Sequence, residues 1–424
     1  MEKPPYYVNS HAHCFTINHV PDNFTKTLTW FSWLLRIKWI KKKKIIRWLI
    51  VTLNKKWILA LISRALPAFT RSLPRLMNFA ENFDVDAQKK MIQGLQAFYP
   101  DKTKLVFLTM DMEFMAAGKP LKNFHHQLDE LAECKRDPAL KDIIYPFVFA
   151  DPRRDKITEI VRARLEDQQA PFAGIKIYPA LGYYPFDERL RDTYQYALDH
   201  NTPVLTHCIK GVVYYRGKKT DHTDYMVHPI TKKTLPFRRP VDFTASFTHP
   251  YNYECLLNYN ILKNYWKEPI DLKNLKICLG HFGGEDEWLK YMQDAWLLDR
   301  DFNIPEAECL ELFKNEWYDK PPTRKSKGLK AYSWFSVIRE MIRKYDNVYA
   351  DISYTLCEPR ILPLLKALLE SPDRISKRIL FGTDYFVVSK AGAEREMSLY
   401  VRGYLGDRLW NKIAYENPNE FLNL

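Results

Sequence analysis

At 424 residues, with 46% apolar and 14% aromatic content, the chain is long enough for one large domain or two ordinary ones around a sizeable core. Seven cysteines without CxxC spacing argue against a disulfide framework, and neither a signal-peptide core nor an 18-residue uncharged apolar run is present, so a cytoplasmic setting is expected. The net charge of +13 is confined to one place: between Lys26 and Ala80 stand thirteen Lys/Arg and no Asp or Glu, and the remaining 51 basic residues balance the 51 acidic ones.

The first predicted strand, 5–13, ends in NSHAHC. Residues i and i+2 of a strand share a face, so His11 and His13 project together. Alone, the pair is read either as two metal ligands or as two ordinary histidines.

A basic segment follows within residues 21–100, and five of the eleven tryptophans lie between 30 and 57. Ile46, Ile50, Leu53, Trp57 and Leu61 keep a spacing of three to four, which predicts an amphipathic helix. Three readings compete for this insertion. It is a helical cap or homo-oligomer contact, a lid whose positive potential draws an anionic substrate, or a contact for an anionic membrane surface through residues 26–75, peripheral at the inner face. Nucleic acid is the weakest alternative, since the charge resembles a phosphate-binding patch only generically.

Beyond it, apolar runs predict strands at 104–111, 142–151, 172–179, 203–208, 276–284, 347–353 and 378–386. Helical periodicity falls at 122–136, 154–168, 187–200, 252–266, 333–345, 358–370, 391–405 and 407–423. Eight β/α alternations imply a (β/α)8 TIM-type barrel, with a doubly wound sheet as the competitor. The division expected is residues 1–20 as the first strand, 21–100 as the insertion and 101–424 as the rest of a single catalytic domain.

In such a barrel, functional side chains stand at the C-terminal ends of strands. Those positions hold His11, His13, Asp111, Asp151, Lys176, His207, His281, Asp351 and Asp384. Histidine and carboxylate suit a borderline divalent ion such as zinc, which lowers the pKa of a bound water. Tyr178, Tyr183, Arg216, His249 and Glu285 fall on the same set of loops and are read either as substrate-pocket lining or as packing and capping. Asp351 is expected to orient a ligand histidine.

H-x-H on strand one, GIKIYP on strand four, THC on strand five, LGHFGG on strand six, GTDY on strand eight and the closing ENPNEFL resemble the amidohydrolase superfamily. The match is to its amidohydrolase-2 branch, related to aminocarboxymuconate-semialdehyde decarboxylase, and covers residues 5–20 and about 100–424. The resemblance implies that His11, His13 and His207 bind one divalent metal, with Asp384 completing or orienting the site. His281 is then a proton shuttle or a ligand of a second metal, and Asp384 an alternative base. Lys176 contacts substrate or carries a carbamate bridging two metals. The implied activity is hydrolysis of an amide, ester or lactone of a small anionic substrate, with non-oxidative decarboxylation as the alternative. A weakly active barrel serving as a membrane-surface binding protein is the reading from another class. The basic insertion departs from the family, where a shorter connection is expected.

Overall fold

The computed structural model describes residues 4–21, 87–211, 213–217, 242–294, 333–385 and 393–424. The basic segment 26–75, with its lid, oligomer and membrane readings, lies outside the described residues.

The strands are β1 (Val8–His13), β2 (Lys104–Leu108), β3 (Ile144–Phe149), β4 (Gly174–Ile177), β5 (Val204–Ile209), β6 (Ile277–Gly283), β7 (Val348–Asp351) and β8 (Ile379–Leu380). Neighbours pair in parallel and in sequence order. The ends then meet. Ala12 bridges Tyr385 in parallel, Ser10 N–H donates to Phe381 O (2.9 Å) and His13 N–H donates to Tyr385 O (2.7 Å). The sheet is therefore a closed (β/α)8 barrel, as expected, and the open doubly wound sheet is excluded.

Strand alternation sorts side chains into two clusters. Leu105 and Phe107 pack outward beneath the helices, while Val106 and Leu108 join an inner cluster with Val8, Phe147, Leu205, Cys278, Tyr349 and Leu380. Phe421 and Leu422, from the last helix, close that cluster as its floor. Two residues along the same inner face stand His207 above Leu205 and Asp351 above Tyr349. Lys176, between outward Ile175 and Ile177, also faces inward. The apolar floor and the polar mouth are thus successive layers of one alternation. On β1, alternation from inward Val8 would turn His11 outward. A register shift between Asn9 and Ala12 re-phases the strand, so that Ala12 packs outside and both histidines face in.

Around the barrel run α1 (Gln88–Gln96), α2 (Phe124–Arg136), α3 (Ile157–Leu165), α4 (Arg191–Asp199), α5 (Asp242–Phe247), α6 (Tyr251–Leu257), α7 (Tyr259–Leu262), α8 (Glu285–Asp294), α9 (Trp334–Lys344), α10 (Leu362–Glu370), α11 (Ala393–Asn411) and α12 (Asn417–Leu422). Three expectations need correction. Residues 88–96, assigned to the insertion, form α1, whose Met91, Ile92 and Leu95 are buried in the barrel's own outer core. The helix expected at 252–266 breaks at Asn258, where extended backbone lets the side chain cap α7 by accepting Asn260 N–H. The last strand, expected to reach 386, pairs with β7 only over Ile379–Leu380, because Phe381 N–H turns to Ile413 O and Asp384 adopts a left-handed backbone (φ 58°). The break expected near residue 406 is present as a kink in α11 at Gly406 (φ 73°).

Candidate metal centre

His11, His13, His207, His281, Asp351 and Asp384 converge at the barrel mouth, each at most 5% exposed. Two glycines make the approach feasible. A Cβ on Gly280 would stand 2.5 Å from Thr206 O and 3.3 Å from His11 Cε1, and one on Gly382 would stand 2.7 Å from His11 Cβ. His281 (φ 67°), Phe282 (φ 45°) and Asp384 (φ 58°) hold left-handed backbone without being glycine. Such strain costs roughly 1–3 kcal/mol per residue and concentrates where a side chain must be aimed.

Hydrogen-bond partners fix the imidazole tautomers. His11 Nδ1–H donates to Asp351 Oδ2 (2.9 Å), and His13 Nδ1–H donates to Leu108 O (3.1 Å). His281 Nδ1–H faces Ser353 O (3.2 Å) and Ser353 Oγ (2.9 Å), which leaves His281 Nε2 to accept from His207 Nδ1–H at 3.0 Å. The lone pairs left over are those of Nε2 on His11, His13 and His207. Nε2 of His11 and of His207 are buried without a hydrogen-bond partner among the described residues. Asp384 Oδ1 lies 3.3 Å from His13 Nε2 and 3.6 Å from His11 Nε2.

Burial, together with Lys176 and His281, lowers His11 to about 3, more than the neighbouring Asp351 can offset. His207 is pushed well below its ordinary value by burial and then by His281 and Lys176. The His11 and His207 rings are neutral at pH 7. Burial opposes the Asp351 carboxylate, but His11, His281 and the Ser353 hydroxyl hold it below the usual range. The unpartnered His11 Nε2 therefore faces a carboxylate oxygen in a buried site, an arrangement that repels unless a cation sits between them. A divalent ion fits this donor set. Among the described residues, the ligand atoms at this mouth that lie within 4.8 Å of one another are those of His11, His281 and Asp384, and His281 Nε2 accepts from His207.

Asp351 holds the set together. Besides His11, it accepts the backbone N–H of His281 (3.1 Å) and Ser353 (3.0 Å) and the Ser353 hydroxyl. Lys176 is fully buried, its Nζ has no hydrogen-bond partner among the described residues, and burial lowers it to about 8 against the pull of Asp351 and Asp384.

The remaining predicted residues divide. Tyr178 stacks on His207, with centroids 3.8 Å apart and planes at 14°. Tyr183 is a brace, its hydroxyl accepting Tyr178 N–H (2.7 Å) and donating to Ala150 O (3.1 Å). Arg216 lies over the Tyr214 ring at 3.7 Å and donates its backbone N–H to Met115 O. His249 stacks on Tyr251 and meets Trp334 edge-on. Glu285 opens α8 half-buried, whereas Glu287 is buried and accepts from Lys210 Nζ and Trp334 N–H. Asp111 and Asp151 are taken up by Arg154 and Arg153. Sequence reasoning passed over Ser353, although it stands two residues beyond Asp351, and Glu287.

Among the described residues a second group, His19, His126 and Glu130, has metal-like spacing. Thr16 N–H donates to His19 Nδ1 (3.0 Å), so His19 Nε2 carries the proton and offers no lone pair, while Lys122 already neutralises Glu130. That group is an ion-pair cluster.

No protein-family profile and no curated protein matches the chain. Among solved structures it is similar to 5-carboxyvanillate decarboxylase from Novosphingobium aromaticivorans with bound manganese, at 15% identity over 99% of this chain and 97% of that one, with a TM-score of 0.47. It is similar to the Sphingomonas paucimobilis 5-carboxyvanillate decarboxylase at 11% identity over 99% and 100%, TM-score 0.46. An amidohydrolase II matches at 13% identity over 79% and 89%, TM-score 0.43. Likenesses this distant carry nothing about chemistry, and the barrel rests on its own strand order.

Proposed function

We propose that the chain is a metal-dependent hydrolase acting on a carbonyl of a small anionic molecule, an amide, ester or lactone. The observation that supports this is the pair of buried, unpartnered Nε2 atoms of His11 and His207 at the barrel mouth, with Asp384 Oδ1 3.6 Å from His11 Nε2 and 3.3 Å from His13 Nε2. These four residues would hold the ion. When bound, it supplies Lewis-acid polarisation of the carbonyl and a lowered pKa for water.

Asp384 takes the proton from the attacking water as the O–C bond forms, then returns it to the leaving nitrogen or oxygen as that bond breaks. Asp384 is better placed for this than His281, whose Nε2 accepts from His207 and whose Nδ1–H is held by Ser353. His281 thereby orients His207. Lys176, a cation at neutral pH whose Nζ has no hydrogen-bond partner among the described residues, binds the anionic group of the substrate. Tyr178 fixes the plane of the His207 ring.

Chelated protein, and the same protein reloaded with zinc or manganese, should be assayed on carboxylated esters, lactones and amides in 18O-water with CO2 detection. Hydrolysis predicts turnover only after reloading, with 18O in the product carboxylate. Turnover that survives chelation would contradict a metal enzyme, and CO2 release without 18O would make it a decarboxylase.

A further inference from the structure

Behind the metal centre, on the outer side of β1, lies a buried polar chain that the chemistry above does not use. Glu394, from the first turn of α11, is 1% exposed. Its Oε1 accepts the Tyr99 hydroxyl at 2.6 Å. The Tyr99 oxygen in turn accepts Asn9 Nδ2–H at 3.2 Å, and the other Asn9 Nδ2–H donates to Thr383 Oγ1 at 2.8 Å. Asn9 Oδ1 accepts His11 N–H at 3.2 Å.

Each link ends on the seam where the barrel closes. Thr383 and Asp384 both donate their backbone N–H to His11 O, at 3.3 and 2.9 Å. Asn9 is fully engaged, with two donors and one acceptor, at the register shift that turns His11 inward. One network therefore sets two things at once: the phase of β1, which aims His11, and the position of the residue preceding Asp384.

We propose that Glu394 is a positioning residue for the metal centre, acting through Tyr99, Asn9 and Thr383 to hold His11 and Asp384 in register across the β1–β8 seam. This rests on the metal reading of the site. Burial pushes Glu394 up to about 7 against the Tyr99 and Thr383 hydroxyls, so its neutral form is well populated and a glutamine reproduces both its shape and its acceptor. The rest of the seam is backbone bonding, which a side-chain substitution leaves in place.

Cobalt(II) alone is the probe, titrated into chelated wild type, Glu394→Gln, Glu394→Ala and Tyr99→Phe. Affinity is read by chelator competition, ligand geometry by the visible d–d band and folding by circular dichroism. Removing a partner that orients ligands typically costs 10–100-fold in metal affinity. Glu394→Ala and Tyr99→Phe should bind cobalt about tenfold more weakly with a shifted band, while Glu394→Gln should match wild type. If Glu394→Ala fails to fold, Tyr99→Phe and Glu394→Gln decide the matter. Wild-type affinity and band in Tyr99→Phe, and in Glu394→Ala where it folds, would overturn the positioning role while leaving the metal centre intact. No cobalt bound by the wild type would overturn the metal reading itself, and this proposal with it.

Discussion

Asp351 accepts His11 Nδ1–H on one oxygen and the backbone N–H groups of His281 and Ser353 on the other, so its charge fixes both a tautomer and a loop. Asp351→Asn keeps the volume but presents an amide N–H to one of these donors. Metal affinity should fall about 10–100-fold, measured by chelator competition, with a smaller change in unfolding midpoint. Equal affinity in the variant would show that His11 does not need the carboxylate. Lys176 makes the opposite prediction for stability. An unpaired buried ammonium costs free energy, and lowering its value from 10.5 to about 8 corresponds to roughly 3 kcal/mol. The cost is full below pH 8, where Lys176 is charged in the folded state. It disappears as pH rises towards 10.5, because between those limits the unfolded chain binds more protons than the folded one. Metal-free Lys176→Met should therefore be more stable than wild type at pH 7, and the gap should narrow from pH 8 to 10.5 in urea titrations. A gap independent of pH would contradict the burial argument.

The elements place these groups, and the close approach of β1 to the turn after β8 is the tightest step. Gly382→Ala would set a Cβ 2.7 Å from His11 Cβ. Overpacking of this kind costs about 1–3 kcal/mol, so the unfolding midpoint should drop and metal affinity with it; an unchanged midpoint would mean that the seam has slack. Much of the arrangement was legible in the sequence. Parallel strands buried on both faces read as continuous apolar runs, and His11, His207, His281, Asp351 and Asp384 stand out where those runs end. Strand ends were overdrawn where apolar residues outlast the ladder, as at β8, where Phe381 leaves for Ile413. Helix α8 opens with Glu285, Asp286 and Glu287 in its first turn, a charge pattern suited to a helix N-terminus that is legible in the sequence. Asn9, Tyr99 and Glu394 could not be found from pattern, since their meaning lies in hydrogen bonds spanning 90 and 295 positions of chain.

At the scale of the molecule, barrel closure turns scattered strand ends into one donor set. Residues from β1 and the turn after β8 share a centre only because Ala12 and Tyr385 bridge the two ends of the sheet. The tautomers imposed around that centre leave the lone pairs on Nε2 of His11, His13 and His207, those of His11 and His13 standing 3.6 and 3.3 Å from Asp384 Oδ1. An anomalous-difference map from crystals of the metal-loaded protein, collected at the metal's absorption edge, tests this most directly. The account predicts one strong peak within bonding distance of those three nitrogens and an Asp384 oxygen, with His281 still bonded to His207. A peak bonded to His281 Nε2 in place of His207, or no peak at the barrel mouth, would contradict it.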